Sequence, residues 1–322
     1  MRLPPNALRV FYLAGLYAAA GVAAAQSYPS KPIRMVTVEA GGSTDFVARL
    51  IAQGLSEGLG RQVVIDNRGG ASGLIAKETV ARASPDGYTL LTDSSALWIL
   101  PLLRKVPYDP FRDYAPITLA DRSPGILIVH PSVAANSVSE LIALAKAKPA
   151  ALNYSTGLPG SSNHLAAELF KALAGVDLTR VNYKGAGPAL TALIAGETQV
   201  MFATSGSVAP QLKSGRVKAL AVTGAQRSAL APDLPTLAEA GVAGYRSESA
   251  HAVYAPAKTP AALIARLQQE IARTLGRAEV KERLLNAGIE VVASTPAELT
   301  AAMRVETEQL GRVIRAAGIR IE

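Results

Sequence analysis

Ile33-Arg34-Met35-Val36-Thr37-Val38, then Glu39-Ala40-Gly41-Gly42-Ser43-Thr44-Asp45, then a stretch in which Phe46, Val47, Leu50, Ile51 and Leu55 recur at helical spacing, reads as strand, turn and amphipathic helix. The unit repeats. Val63-Val64-Ile65 and Tyr88-Thr89-Leu90-Leu91 are the next β-rich runs, and three strands joined through two helices demand a largely parallel sheet.

A second series begins with Ile126-Leu127-Ile128-Val129 and a helix opened by Ser137, with Glu140 at capping-box spacing. Strands are expected near 152–155, 180–182, 200–203 and 219–222, alternating with helices near 164–174, 188–195 and 208–213. The stretch Ala231-Pro232-Asp233-Leu234-Pro235 is too rich in proline for helix or central strand, and Ala252-Val253-Tyr254-Ala255 then carries the chain back. The remainder is helical. Thr259-Pro260 and Thr295-Pro296 each place a capping residue before a proline at the first helical position, and Glu298 completes a second capping box.

The fold class that follows is α/β with two lobes, each a largely parallel sheet flanked by helices. Lobe 1 is discontinuous, from 26–125 and 250–322, with the C-terminal helices covering it. Lobe 2 is 126–249, and strands near Ile128 and Val253 cross between them as a hinge.

Upstream, Arg2 and Arg9 precede an apolar run from Val10 through Ala25 that ends in Ala23-Ala24-Ala25. A signal peptide over 1–25, cleaved after Ala25, is expected, because the run is shorter than the roughly 20 residues that cross a bilayer and ends in small residues. The chain has no cysteine. That removes a disulfide framework, a thiolate metal site, a cysteine nucleophile and a lipid-attachment site, and it favours free diffusion in a bacterial periplasm. The formal charge of +8 falls to +6 once the two arginines of the signal segment are removed. Lys and Arg are scattered among acids with no basic run, so nucleic-acid binding is not expected.

In parallel α/β lobes, ligands gather at the carboxyl ends of strands, where helix N-termini favour anions. Three loops fit. The first is Glu39, Gly41, Gly42, Ser43, Thr44 and Asp45. The second, in the other lobe, carries Thr156, Gly157, Ser161, Ser162 and His164. The third adds Tyr183, Lys184 and Gly185. Ser94 and Ser95 after the third strand, and Thr204 after the strand at 200–203, complete the candidate ligand set. Glycine and hydroxyl caps also serve helices that bind nothing, and two similar loops from two lobes carry more weight than either alone. For Asp45, stabilising the helix end and fixing the loop is preferred over ligand contact. Trp98 reads equally as a pocket wall or as core. His130, His164 and His251 have no metal-ligand spacing, and no nucleophile elbow, phosphate loop or dinucleotide fingerprint occurs. No enzyme activity, metal or cofactor is expected.

At these loops the chain resembles the Bug family, the periplasmic receptors of tripartite tricarboxylate transporters. The likeness runs in order through Tyr28-Pro29-Ser30-Lys31-Pro32-Ile33, Gly41-Gly42-Ser43-Thr44-Asp45, Asn67-Arg68 with Gly70-Ala71 and Gly73, and Pro85-Asp86-Gly87-Tyr88-Thr89-Leu90. It continues through Tyr108-Asp109-Pro110, Gly157 with Ser161-Ser162 and His164, Tyr183-Lys184-Gly185, and Leu234-Pro235-Thr236 with Glu239 and Gly241. The resemblance implies a two-lobed periplasmic-binding-protein fold of the second topological type, acting as a monomer on a di- or tricarboxylate, an amino-acid-like or an aromatic acid. It also implies delivery to inner-membrane transporter components; the alternative is a receptor that docks on a periplasmic sensor domain. Three departures stand out: Glu39-Ala40 where the family has Pro-Pro, Ala250 where it tends to have Trp, and Lys258 where it usually has Gly. Glu39 either reads a positive or donor group on the ligand or points into solvent at the rim.

Overall fold

The computed structural model describes residues 28–38, 40–69, 73–157 and 160–319. The expected signal segment 1–25 and Glu39 lie outside the described residues. Three strands open the first sheet: β1 (Ile33–Thr37) pairs in parallel with β2 (Val63–Asn67) on one side and β3 (Thr89–Ser94) on the other. The crossover helices are α1 (Ser43–Leu59) and α2 (Leu74–Ala81), and α3 (Ala96–Leu103) follows β3. Helix α1 forms because Val47, Ala48, Ile51 and Leu55 make one stripe, all fully buried against the sheet, and it stops at Gly60, whose φ of 66° suits glycine.

The centre of the molecule is a pair of long antiparallel strands. β4 (Tyr114–Val129) spans 16 residues, and β9 (Glu248–Pro256) lies between it and β3, antiparallel to both. β9 runs against β3 because the chain enters it from the other lobe. As far as Pro124, β4 pairs with β9; from Gly125 onward it pairs with β7 (Val200–Thr204) and β8 (Lys218–Val222). The chain therefore crosses between lobes at Pro124-Gly125. The sequence reading found only the last part of β4, since Pro116, Pro124 and Asp121-Arg122 mask its first part. Two register shifts, one at Pro116/Thr118, let that part remain a strand.

In the second sheet β7, β5 (Asn153–Thr156) and β6 (Thr179–Asn182) are parallel. Helices α4 (Val138–Ala147), α5 (Ser162–Ala174), α6 (Ala186–Ile194) and α7 (Ser205–Lys213) flank it. Ser137 Oγ accepts the Glu140 N–H at 3.2 Å, which caps α4. Its core gathers Tyr154, Phe170, Phe202 and Tyr245.

Helices α8 (Ala261–Leu275) and α9 (Ala278–Asn286) pack on the first sheet, with Leu267, Ile271 and Leu284 in its core. β10 (Glu290–Val291) pairs with β4, and α10 (Pro296–Ala316) closes the chain. Thr295 and Glu298 form the full capping box. Thr259 does not cap α8: its hydroxyl donates to the Pro256 carbonyl at 2.7 Å, leaving Pro260 at the N-cap. α10 also reaches farther than the first lobe. Its Leu299 and Met303 pack with Trp98, whereas Val313 sits in the second sheet's core. No helix among the described residues is long and apolar enough to cross a membrane.

Candidate ligand-binding site

The carboxyl ends of the first sheet's strands meet at His251. In the ladder Ser94 of β3 and Asp121 of β4 both stand opposite His251, so the three side chains share a face. Asp121 Oδ1 lies 2.7 Å from His251 Nδ1, and His251 Nε2 lies 3.1 Å from Ser43 Oγ. Asp121 and His251 are buried, while Ser43, at the N-terminus of α1, is exposed. A carboxylate can accept only from Nδ1–H, so the chain of contacts runs from a buried acid through imidazole to an exposed hydroxyl. Burial alone would lower the proton affinity of His251. The Asp121 charge and hydrogen bond, with Asp93 behind them, outweigh burial and raise it.

The rest of the Gly41–Asp45 loop is held by Asp45. Its Oδ2 accepts from the Gly41 N–H and from Arg49 Nε, both at 2.9 Å, and its Oδ1 accepts from Asn67 Nδ2 at 2.9 Å. Burial pushes the Asp45 carboxyl up, but these three donors together hold it below the usual carboxylate range. Asp45 thus fixes the loop, and Thr44 is buried behind it. Gly41 takes φ of 84° and has open space where a Cβ would project, which leaves the loop backbone accessible. Ser95 is buried, and its N–H ties the start of α3 to the Ala250 carbonyl at 2.9 Å.

In the second lobe a cavity of about 30 Å³ lies beside the crossing, lined among others by Ser162, Thr204, Gly125, Thr223, Ser247 and Ser249. Gly125 sits tightly there. Its N–H donates to Thr223 Oγ1 at 2.7 Å, and a Cβ would come within 3.0 Å of the Ala203 carbonyl. The Thr204 hydroxyl is exposed and donates to Ser207 Oγ at 2.9 Å; Asn163 Nδ2 donates to the Phe202 carbonyl. The buried hydroxyls of Thr156 and Ser161 have no hydrogen-bond partner among the described residues. At Gly157 a Cβ would rest 3.5 Å from the Gly185 carbonyl carbon, so these two loops touch.

Other predicted residues face different work. His164 is fully buried and kept neutral, its pKa pushed down to about 4 by burial first and by Arg180 second. Gly160 N–H and Arg180 Nη1 approach its two ring nitrogens at 2.9 and 2.6 Å. A neutral imidazole has one acceptor nitrogen and one N–H, so only one of the two donors is accepted in a given tautomer. The Tyr183 hydroxyl donates to Glu197 at 3.3 Å, and Lys184 is exposed. Trp98 belongs to the core: it packs with Ala250, Ala252 and Tyr254, the face of β9 opposite His251, and donates Nε1–H to Glu306 at 2.8 Å.

The sequence did not single out Asp121, Ser123, Gly125, Thr223, Ser247 and Ser249, and it offered His251 only as a histidine without metal-ligand spacing. One signal was available: Ser247, Ser249 and His251 alternate before the apolar run of β9, a period-2 polar face.

Residues 47–319 match the model of the tripartite tricarboxylate transporter family receptor. The chain belongs to this family. BugT of Bordetella pertussis is 33% identical over 325 residues, covering 98% of this chain and 100% of BugT. Among solved structures of the family fold, R. palustris Rpa4515 with adipate is 36% identical with a TM-score of 0.71, covering 91% of this chain and 99% of Rpa4515. MatC (Rpa3494) from Rhodopseudomonas palustris, with bound malate, is 30% identical with a TM-score of 0.67, covering 89% of this chain and 100% of MatC. Family membership accounts for the two-lobed α/β fold and places the chain among transporter-family receptors.

Proposed function

We propose that this protein is a periplasmic solute receptor that closes its two lobes, as a monomer, around a small carboxylate-bearing metabolite and presents it to the inner-membrane components of a tripartite carrier. One observation carries the reading: exposed or cavity-lining hydroxyls of both lobes, Ser43 on one side and Ser162 and Thr204 on the other, flank the Pro124-Gly125 crossing. A ligand that touches both sets does so only when the lobes approach, and that differential contact drives closure. The adipate and malate held by Rpa4515 and MatC support an acid as the ligand class.

A thermal-shift screen across dicarboxylates, amino acids and aromatic acids tests the reading. A ligand at about 100-fold excess over its Kd adds about 2.7 kcal/mol to the folded state, a clear rise in Tm. No rise with any acid contradicts the reading.

A further inference from the structure

The Asp121, His251 and Ser43 chain resembles in connectivity the acid, imidazole and hydroxyl of acyl-transfer enzymes. What separates it from them is charge. A general base must rest neutral even with one carboxylate bonded to it, as in those enzymes; His251 has that carboxylate and, beyond it, the field of a second acid, Asp93. Among the described residues, few charged groups surround His251. From β4, Asp121 touches it; from β3, Asp93 acts on it but is itself paired with Lys77 at 2.8 Å; from α1, Asp45 is paired with Arg49. On β9 itself, Glu248 pairs with Arg122 and Arg246. Among the described residues, Asp121 is therefore the one acid of this group whose only charge partner is the imidazole.

We propose that His251 is the proton-linked anion reader of the ligand cleft: a carboxylate that binds at Ser43 does so on the protonated form, and binding takes up a proton. The proposal rests on the carboxylate-receptor reading and adds a residue and a pH dependence to it. With His251 neutral, the floor of the site carries the uncompensated Asp121 charge, which repels an incoming carboxylate. With His251 protonated, Asp121 and His251 cancel, the Ser43 hydroxyl no longer donates to the Nε2 lone pair but accepts from Nε2–H and turns its own proton outward, and the α1 N-terminus adds its positive end. Ligand and proton thus bind cooperatively, each raising the affinity for the other. A periplasmic receptor built this way holds its cargo more tightly as its surroundings acidify.

The test is calorimetry of adipate and malate binding from about pH 5.5 to 8.5, bracketing the imidazole range, in two buffers of different ionisation enthalpy, with the His251 ring protons followed by NMR. Above the His251 midpoint of the free protein, affinity is expected to fall by up to about tenfold per pH unit, with up to about one proton taken up per ligand. Saturating ligand is expected to move the His251 midpoint upward. Asp121→Asn is expected to move the midpoint and the affinity window to lower pH, and His251→Gln to bind weakly with no pH slope. A flat affinity profile without proton uptake overturns the proposal, as does a slope that persists in His251→Gln. So does ester hydrolysis that Ser43→Ala abolishes, which would make Ser43 a nucleophile. If neither acid binds at any pH, the carboxylate-receptor reading is what has failed for them. Formate at high concentration then tests His251 by itself: a rise in the ring midpoint supports the proposal and no shift overturns it.

Discussion

Lys77 and Asp93 are each about 1% exposed at the side chain and 2.8 Å apart, an ion pair sealed under β3 next to the ligand site. Their separate desolvation is costly, and their mutual attraction offsets it only while both are present. Lys77→Met leaves Asp93 charged and alone, so a loss of about 3–5 kcal/mol is expected in urea unfolding, with part of it recovered by adding Asp93→Asn. Lys258 offers the opposite sign. It takes φ of 67°, where a side chain is strained and glycine is not. Lys258→Gly is expected to stabilise by about 0.5–1 kcal/mol, the relief of strain exceeding the extra chain entropy of glycine. This departure from the family pattern was visible in the sequence; the left-handed backbone that gives it meaning was not. His251 shows the same limit more sharply, since its partner Asp121 is 130 residues away and no local spacing links them.

Helix α10 joins the two lobes, and its middle carries a charged residue in an apolar setting. Glu306 lies against Trp98 with Arg122, Arg246 and Glu248 near. Burial pushes its carboxyl up to about 7, against the pull of the Trp98 hydrogen bond and Arg246. Because the folded value lies above the ordinary carboxylate value, the stabilising contribution is complete below about pH 4.5 and is lost as pH rises through about 7. Glu306→Gln keeps an acceptor for Trp98 and removes the charge. It is expected to raise Tm by a few degrees at about pH 8, on the order of 1–2 kcal/mol after solvent screening, and to change little at about pH 4.5. Elements with clear periodicity, such as α1 with its Val47-Leu50-Ile51-Leu55 stripe, were legible from sequence. The first part of β4 was not, because Pro116 and Pro124 argue against a strand until its bulged pairing with β9 is seen. The C-terminal end of α10 was equally hidden: its stripe says that one face is buried, and only the tertiary arrangement says that two different cores bury it.

For the whole molecule, alternating strands and helices announced two α/β lobes, and the glycine-hydroxyl loops are where the proposed ligand site is drawn. The sharing of one 16-residue strand between both sheets did not follow from the sequence, and it makes Pro124-Gly125 the crossing about which the proposed closure turns. Absence of cysteine makes that motion directly measurable. Cysteines placed at Arg68, an exposed residue just past β2, and Thr191, an exposed residue on α6, carry a distance-sensitive label pair across the two lobes. On saturation with an acid that raises Tm, the account predicts a shorter interlobe distance, with the shift lost when Ser43 and Thr204 are both replaced by alanine. An acid that binds tightly while the interlobe distance stays the same would contradict capture by closure.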